Sequence, residues 1–90
     1  MFYVYIIQSE LDGSYYKGFS ENYKERLMQH NLGKSNYTSR KTPWKLVHVE
    51  IWESRKDALK REKNLKQATR ERLEALINSP KNILCNDFGT

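Results

Sequence analysis

The chain has 90 residues, which is enough for one domain and leaves no room for a second hydrophobic core. Sixteen Lys and Arg residues against 11 Asp and Glu residues give a formal net charge of +5 and a pI of about 9.4. This excess favours an anionic partner, nucleic acid first.

No apolar run reaches the roughly 18 residues of a membrane span, so no membrane association is expected. Met1 leads directly into a predicted strand, and we therefore expect no signal peptide. The single cysteine, Cys85, excludes an internal disulfide and favours a reducing, cytoplasmic location. With no His or Cys at ligand spacing, Cys85 is interpreted as inert.

The first twenty residues predict a β-hairpin. Two runs rich in aromatic and β-branched side chains flank Asp12-Gly13, which is a strong turn signal. A two-residue turn at this dipeptide would place Tyr5 opposite Ser20. Because side chains alternate along a strand, Tyr5 and Tyr16 then share one face of the sheet, as they do for any loop of even length. Plain packing is sufficient to explain two phenols there, so the rest of the chain must decide their role.

Asn22 followed by Glu25 resembles a capping pair and predicts a helix over about residues 23–32. At about 100° per residue, Arg26 and His30 fall on the face that should point toward the core. The alternative for Arg26 is a surface charge whose stem covers apolar neighbours, and for His30 it is a structural, partly buried histidine.

Residues 33–43 predict a polar loop in which hydroxyl and amide groups alternate with cations. Such groups bind phosphates, and an aromatic ring among them can stack on a base. An ordinary solvated loop is the competing interpretation. The candidate nucleic-acid contacts in this loop are Lys34, Tyr37, Arg40 and Lys41.

Residues 44–52 predict a third strand by alternation of side chains. The alternation puts Val47 and Val49 on one face, with Leu46 and His48 on the other. No second imidazole or carboxylate has metal-site spacing to His48, so it is interpreted as structural or exposed.

Ser54 predicts the start of a helix over about residues 55–67. Its inward stripe is defined by Ala58, Leu59 and Leu65. Glu62 lies in the middle of this stripe, although a carboxylate is almost never fully buried without a partner or a metal. Glu62 therefore either forms an internal salt bridge, for example to Arg26, or lines a cleft where it is open to a bound cation. Thr69 then predicts the cap of a last helix.

Together these residues resemble a GIY-YIG nuclease domain of the small, stand-alone bacterial kind. The matching pieces are, in order, Tyr3-Val4-Tyr5, Tyr16-Lys17-Gly18, Arg26 with His30, the run 43–47 and the stretch from Ala58 to Glu62. The match covers about residues 2–78. Tyr3 stands in place of the motif glycine, Lys17 in place of the isoleucine, and Phe19 where some members carry a lysine.

The resemblance implies an α/β fold, in which a three-stranded antiparallel sheet is flanked by helices. The elements predicted from the residues follow the same order, β-β-α-β-α-α. The domain is predicted to span residues 1–79, and residues 80–90 are predicted to form a loosely held C-terminal tail.

The resemblance also implies a metal-dependent endonuclease that hydrolyses phosphodiester bonds in DNA. Glu62 would hold one Mg²⁺ or Mn²⁺ ion, and Arg26 would bind the non-bridging phosphate oxygens. Tyr5 or Tyr16 would help to take a proton from water, and His30 would assist as a base or an orienting group.

Two residues of the second motif have further implied roles. Lys17 would contact the nucleic acid, and Gly18 would keep the backbone out of the way of the phosphate. One alternative function is a non-catalytic nucleic-acid-binding module that uses the same basic cleft, and another is a scaffold for a protein partner. The resemblance suggests a role in DNA repair or recombination. It does not decide whether the substrate is DNA or RNA, and it does not determine the oligomeric state.

Overall fold

The structure, a computed structural model, describes residues 1–84. Its strands and α-helices are, in chain order, β1 (Phe2–Ser9), β2 (Tyr15–Ser20), α1 (Tyr23–Asn31), β3 (Trp44–Trp52), α2 (Arg55–Lys66) and α3 (Arg70–Ile77). The sheet is antiparallel with the order β2-β1-β3, so β1 is central. The predicted α/β class and element order are confirmed. Across residues 1–84, no helix has the length and apolar character needed to cross a membrane.

The three helices begin where their capping residues predict. Asn22, Ser54 and Thr69 each accept a hydrogen bond from the backbone N–H three residues further on. The first helix ends at Asn31 with Leu32 as its C-cap, and the next residue, Gly33, has a φ of +78° that favours glycine. Between α1 and β3 the predicted loop contains one short 3₁₀ turn, Thr38–Lys41.

Alternating side chains of β1 supply the core on both faces of the sheet. Val4 and Ile6 pack toward α2 and α3, against Ala58, Leu65 and Leu73. On the α1 face the buried residues are Tyr5, Ile7, Trp44 and Val49.

One residue of the predicted inward stripe of α2 lies elsewhere. Leu59 is 39% exposed, so its predicted place in the stripe is wrong. The buried face of α2 is centred on Ala58 and Leu65, and Leu59 is turned about 100° from Ala58.

The hairpin register differs from the predicted one. Tyr5 pairs with Gly18, because a four-residue loop at 10–13 replaces the expected two-residue turn. The hydroxyl of Ser9 stabilises this loop by accepting two of its backbone N–H groups. Since the loop length is still even, Tyr5 and Tyr16 share the α1 face, as predicted.

A β-bulge in β3 changes which side chains face the same way. Neighbouring residues of β1 pair with His48 and Leu46, which leaves Val47 without a partner in the register. Leu46 therefore packs on the α1 face with Val49, whereas Val47 packs on the opposite face. The strict alternation predicted for this strand is wrong in its first half.

The start of the predicted tail is packed against the domain. Asn82 is 1% exposed; it accepts a hydrogen bond from the Val49 N–H at 3.1 Å and donates one to the Val47 carbonyl at 2.8 Å. The prediction of a loose tail is therefore wrong at this position. Cys85 and the rest of the tail lie outside the described residues, and the domain boundary at residue 79 stays a prediction.

Candidate active site

Tyr5 lies at the centre of a polar cluster on the α1 face of the sheet. Its side chain is 1% exposed, and its ring lies directly over Gly18 on the neighbouring strand. A β-carbon at position 18 would collide with this ring. The space that Gly18 leaves is thus filled by Tyr5, and the predicted reason for this glycine, room for a phosphate, is corrected.

His30 joins Tyr5 to a threonine. Its Nε2 lies 3.0 Å from the Tyr5 hydroxyl oxygen, and its Nδ1 lies 2.8 Å from Oγ1 of the buried Thr38. Burial, and then the charge of Arg26, lower the pKa of His30. Both ring nitrogens therefore have a partner, and the imidazole is neutral near pH 7.

Arg26 lies near both Tyr5 and His30. Burial raises the pKa of Tyr5, while the hydrogen bond and the positive charge of Arg26 act in the opposite direction. Tyr16 and Glu62 also influence this phenol, and both raise its pKa. Arg26 further donates a hydrogen bond to Gln29 Oε1 at 2.8 Å. All four other predicted catalytic side chains thus lie close enough to act on Tyr5.

Tyr16 also contacts His30. The two ring centroids are 4.9 Å apart in an edge-to-face arrangement, and Tyr16 also contacts Trp44 and Tyr37. The imidazole therefore contacts two phenols, Tyr5 through a hydrogen bond and Tyr16 through ring packing.

Glu62 is partly exposed, with about 20% of its side-chain surface open to solvent. Its ion-pair partner within residues 1–84 is Lys66, whose Nζ lies 3.9 Å from Oε2, and not Arg26. In that part of the chain, no three His, Cys, Asp or Glu side chains form a metal site. A lone, partly exposed carboxylate suits Mg²⁺ or Mn²⁺, because such ions keep several waters and take ligands from phosphates.

The structure brings only two of the predicted nucleic-acid contacts to this cluster. Lys17 and Tyr37 line a cleft of about 180 Å³ beside Tyr16. Lys41 instead binds the Asp12 carboxylate at 3.2 Å and so ties the loop to the hairpin turn. Lys34 and Arg40 are exposed on the same loop, and within residues 1–84 no hydrogen bond or ion pair joins either cation to the cluster.

Two residues of the site were not predicted. Lys66 lies four residues after Glu62 on one helix, a spacing that could have indicated the pair. Thr38 had no comparable signal, because it is one of several hydroxyl residues in the polar loop and only the packed structure buries it under His30.

A second polar cluster lies on the opposite face of the sheet. Glu50 accepts two hydrogen bonds from Arg61, at 2.8 and 2.9 Å, and lies 2.8 Å from His48 Nε2. Burial would raise the pKa of Glu50, but the hydrogen bonds from His48 and Arg61 hold it at about 2. His48 is fully buried. This confirms the interpretation of His48 as structural and excludes the alternative that it is exposed.

These features agree with the comparisons with known proteins. The family model for the GIY-YIG catalytic domain matches residues 1–75. The chain belongs to the GIY-YIG family, and the resemblance seen in its motifs is confirmed.

The individual relatives are UPF0213 proteins. One from Halobacterium salinarum is 39% identical over 78 residues, which cover 86% of this chain and 100% of the relative. Another, from Staphylococcus saprophyticus, is 35% identical over 77 residues and covers 84% of this chain and 93% of its own. The solution NMR structure of the UPF0213 protein of Bacillus halodurans is 31% identical, with a TM-score of 0.58, and covers 90% of this chain and 87% of its own.

Proposed function

We propose that this protein is a metal-dependent endonuclease that hydrolyses phosphodiester bonds in DNA. Family membership supports a nuclease, and the grouping of a guanidinium, an imidazole, a carboxylate and two phenols around one point carries the proposal. Phosphodiester hydrolysis requires a deprotonated nucleophile, neutralised charge at phosphorus and a stabilised leaving oxygen. The grouped side chains can supply the first two requirements and part of the third.

In this proposal, a water molecule attacks phosphorus and gives up its proton through Tyr5. The raised pKa of Tyr5 keeps the phenol neutral, so it must pass its own proton to His30 Nε2 as it accepts one from water. The lowered pKa of His30 leaves its imidazole free to take that proton. Thr38 holds Nδ1 and orients the ring. Tyr16 is the second candidate base, since its ring also contacts His30.

Arg26 would bind the non-bridging oxygens of the phosphate, where its planar fork is suited to two oxygens. Glu62 would hold Mg²⁺ or Mn²⁺. A bound divalent ion supplies neutralisation of the charge that develops on the phosphate and the leaving oxygen. The proposal also includes a cytoplasmic location and a role in DNA repair, which follow from the single cysteine and from the family resemblance.

The decisive experiment measures cleavage of supercoiled and branched DNA with Mg²⁺ or Mn²⁺. We expect Glu62→Gln to reduce the rate at least about 100-fold, because one carboxylate provides the protein's part of the metal site. Glu71→Gln, which removes an exposed carboxylate from α3, should leave the rate unchanged. Cutting that survives Glu62→Gln would rule out the proposed metal role.

One observation favours the alternative of a non-catalytic nucleic-acid-binding module. Tyr5 is buried and its pKa is raised, which is opposite to the change that would make a phenol a better base. This alternative predicts that the native protein binds DNA but does not cut it with any divalent metal.

A further inference from the structure

A cleft beside the reaction centre is not used by the mechanism above. Its volume is about 180 Å³, and its walls are formed by Tyr15, Tyr16, Lys17, Tyr37 and Lys66. Two of these residues connect it to the centre. The Tyr16 ring lies 4.9 Å from that of His30, and Lys66 Nζ lies 3.9 Å from Glu62 Oε2. A group bound in the cleft would thus be a direct neighbour of the scissile phosphate.

Two like charges share this cleft. Burial, and then the charge of Lys66, lower the pKa of Lys17. The nearby carboxylate, Glu62, lies at the long limit of an ion pair with Lys66. Two ammonium groups that repel each other in a partly buried cleft are stabilised when an anion lies between them.

One wall of the cleft carries an aromatic ring that is exposed to solvent. Tyr37 is 59% exposed, yet its ring has two neighbours: the Tyr16 ring, with centroids 5.9 Å apart, and the Lys41 ammonium, 5.6 Å from the Tyr37 centroid. Lys41 is in turn anchored to Asp12 at 3.2 Å. A positioned but exposed ring is a surface on which a nucleobase can stack.

We propose that this cleft binds one unpaired nucleotide, with its base stacked on Tyr37 and its phosphate between Lys17 and Lys66. The inference rests on the proposed function and names its substrate, which is DNA with unpaired nucleotides beside the scissile bond. In a continuous duplex both faces of every base are covered by neighbouring bases, so none can stack on Tyr37.

The test measures binding without metal, by fluorescence anisotropy in EDTA, so that it does not depend on catalysis. The probes are a labelled oligodeoxythymidine and a labelled blunt-ended duplex of similar length, made of two fully complementary strands. We expect tighter binding of the single strand. Tyr37→Ala should weaken that binding by about 5- to 100-fold and leave duplex binding unchanged, whereas Tyr37→Phe should retain it.

The phosphate contact has its own variant. Lys66→Ala should reduce the slope of log K against log salt concentration for the single strand by about 0.7. Lys24→Ala removes an equal charge from the exposed face of α1 and should leave that slope unchanged. The same reduction in both variants would overturn the assignment of the phosphate to this cleft.

The two proposals fail in different ways. A protein that binds single strands through Tyr37 but cuts no DNA with any divalent metal contradicts the nuclease and supports the cleft. Equal affinity for single strand and duplex, unchanged by both Tyr37→Ala and Lys66→Ala, overturns the cleft even where cleavage is observed. Thermal unfolding of each variant verifies that it is folded.

Discussion

At the scale of single residues, the contact between Gly18 and Tyr5 positions the centre of the site. The β-carbon of an alanine at position 18 would overlap the Tyr5 ring. The ring would have to move, which would break its 3.0 Å contact with His30. We expect Gly18→Ala to cost about 1–3 kcal/mol in the free energy of unfolding and to abolish DNA cleavage.

Urea denaturation and plasmid cleavage check this expectation. Gly33→Ala is the matched control, because its φ of +78° is strained for alanine but its β-carbon would meet only Ser39, at an ordinary 3.7 Å. Gly33→Ala should therefore lose stability and keep its activity below the unfolding temperature. Equal cleavage by both variants contradicts the proposed role of Gly18.

Thr38 is expected to matter through His30. Thr38→Val keeps the shape of the side chain but removes the oxygen that lies 2.8 Å from His30 Nδ1. A buried ring nitrogen left without a partner costs about 1–3 kcal/mol, so we expect a loss of that size and slower DNA cleavage. Thr38→Ser should restore both quantities. A valine variant with native stability and rate would show that the hydroxyl does not orient the imidazole.

At the scale of elements, the segment after α3 completes the edge of β3. The Asn82 side chain donates hydrogen bonds to the Val47 and Ile77 carbonyls and accepts one from the Val49 N–H. Asn82→Asp can still accept but cannot donate. We expect a loss of about 1–3 kcal/mol, measured by urea denaturation, because two partly buried carbonyls lose their donor. Asn36→Asp, on the exposed loop, should change stability little.

A buried ion pair joins α2 to β3. Arg61→Met would leave the Glu50 carboxylate buried without the donor of two of its hydrogen bonds, and we expect a loss of about 3–5 kcal/mol. Lys60→Met, which removes an exposed neighbouring cation, should change stability by less than about 0.5 kcal/mol.

A double-mutant cycle isolates the pair itself. The combination of Arg61→Met with Glu50→Gln should cost clearly less than the sum of the two single substitutions, because the unpaired charge is then absent. Additive losses would mean that the two groups act independently, in conflict with their 2.8 Å separation.

At the scale of the whole molecule, we expect stability to fall in two steps as the solution is acidified. The pKa of His30 lies below its ordinary 6.5, so below pH 6.5 the unfolded chain binds the proton more readily and folding is disfavoured. The pKa of Glu50 is about 2 instead of 4.5, so a second loss follows as the pH falls from 4.5 toward 2.

The urea midpoint measured between pH 8 and pH 2.5 reports both steps. His30→Gln should remove the first step. Glu50→Gln should reduce the second without removing it, because hydrogen bonds from Ser14 also lower the pKa of the exposed Asp12. A midpoint that is constant from pH 7 to pH 5 in the native protein would contradict the neutral, buried state of His30.

The sequence alone was sufficient for the helix caps, for the helix face of Arg26 and His30, and for the shared face of Tyr5 and Tyr16, all of which depend on near neighbours in the chain. Caps such as Asn22 and Ser54 act within three residues, so the starts of the helices follow from local hydrogen bonding. The placement of Arg26 and His30 on one helix face follows from helical periodicity. Tyr5 and Tyr16 share a face because side chains alternate along each strand and the hairpin loop has an even number of residues. A loop longer by two residues leaves that face unchanged.

Only the tertiary structure decided the features that join distant residues. The Ser9 hydroxyl donates to the distant Lys41 carbonyl at 2.6 Å while it accepts two N–H groups of the hairpin loop, and the resulting four-residue loop sets the register that places Tyr5 over Gly18. Packing of the 33–43 loop against α1 buries Thr38 beside His30. The meeting of Lys17 and Lys66 at one cleft depends on where α2 lies against β2. Each of these contacts depends on the relative position of separate elements, and neither helical nor strand periodicity contains that information.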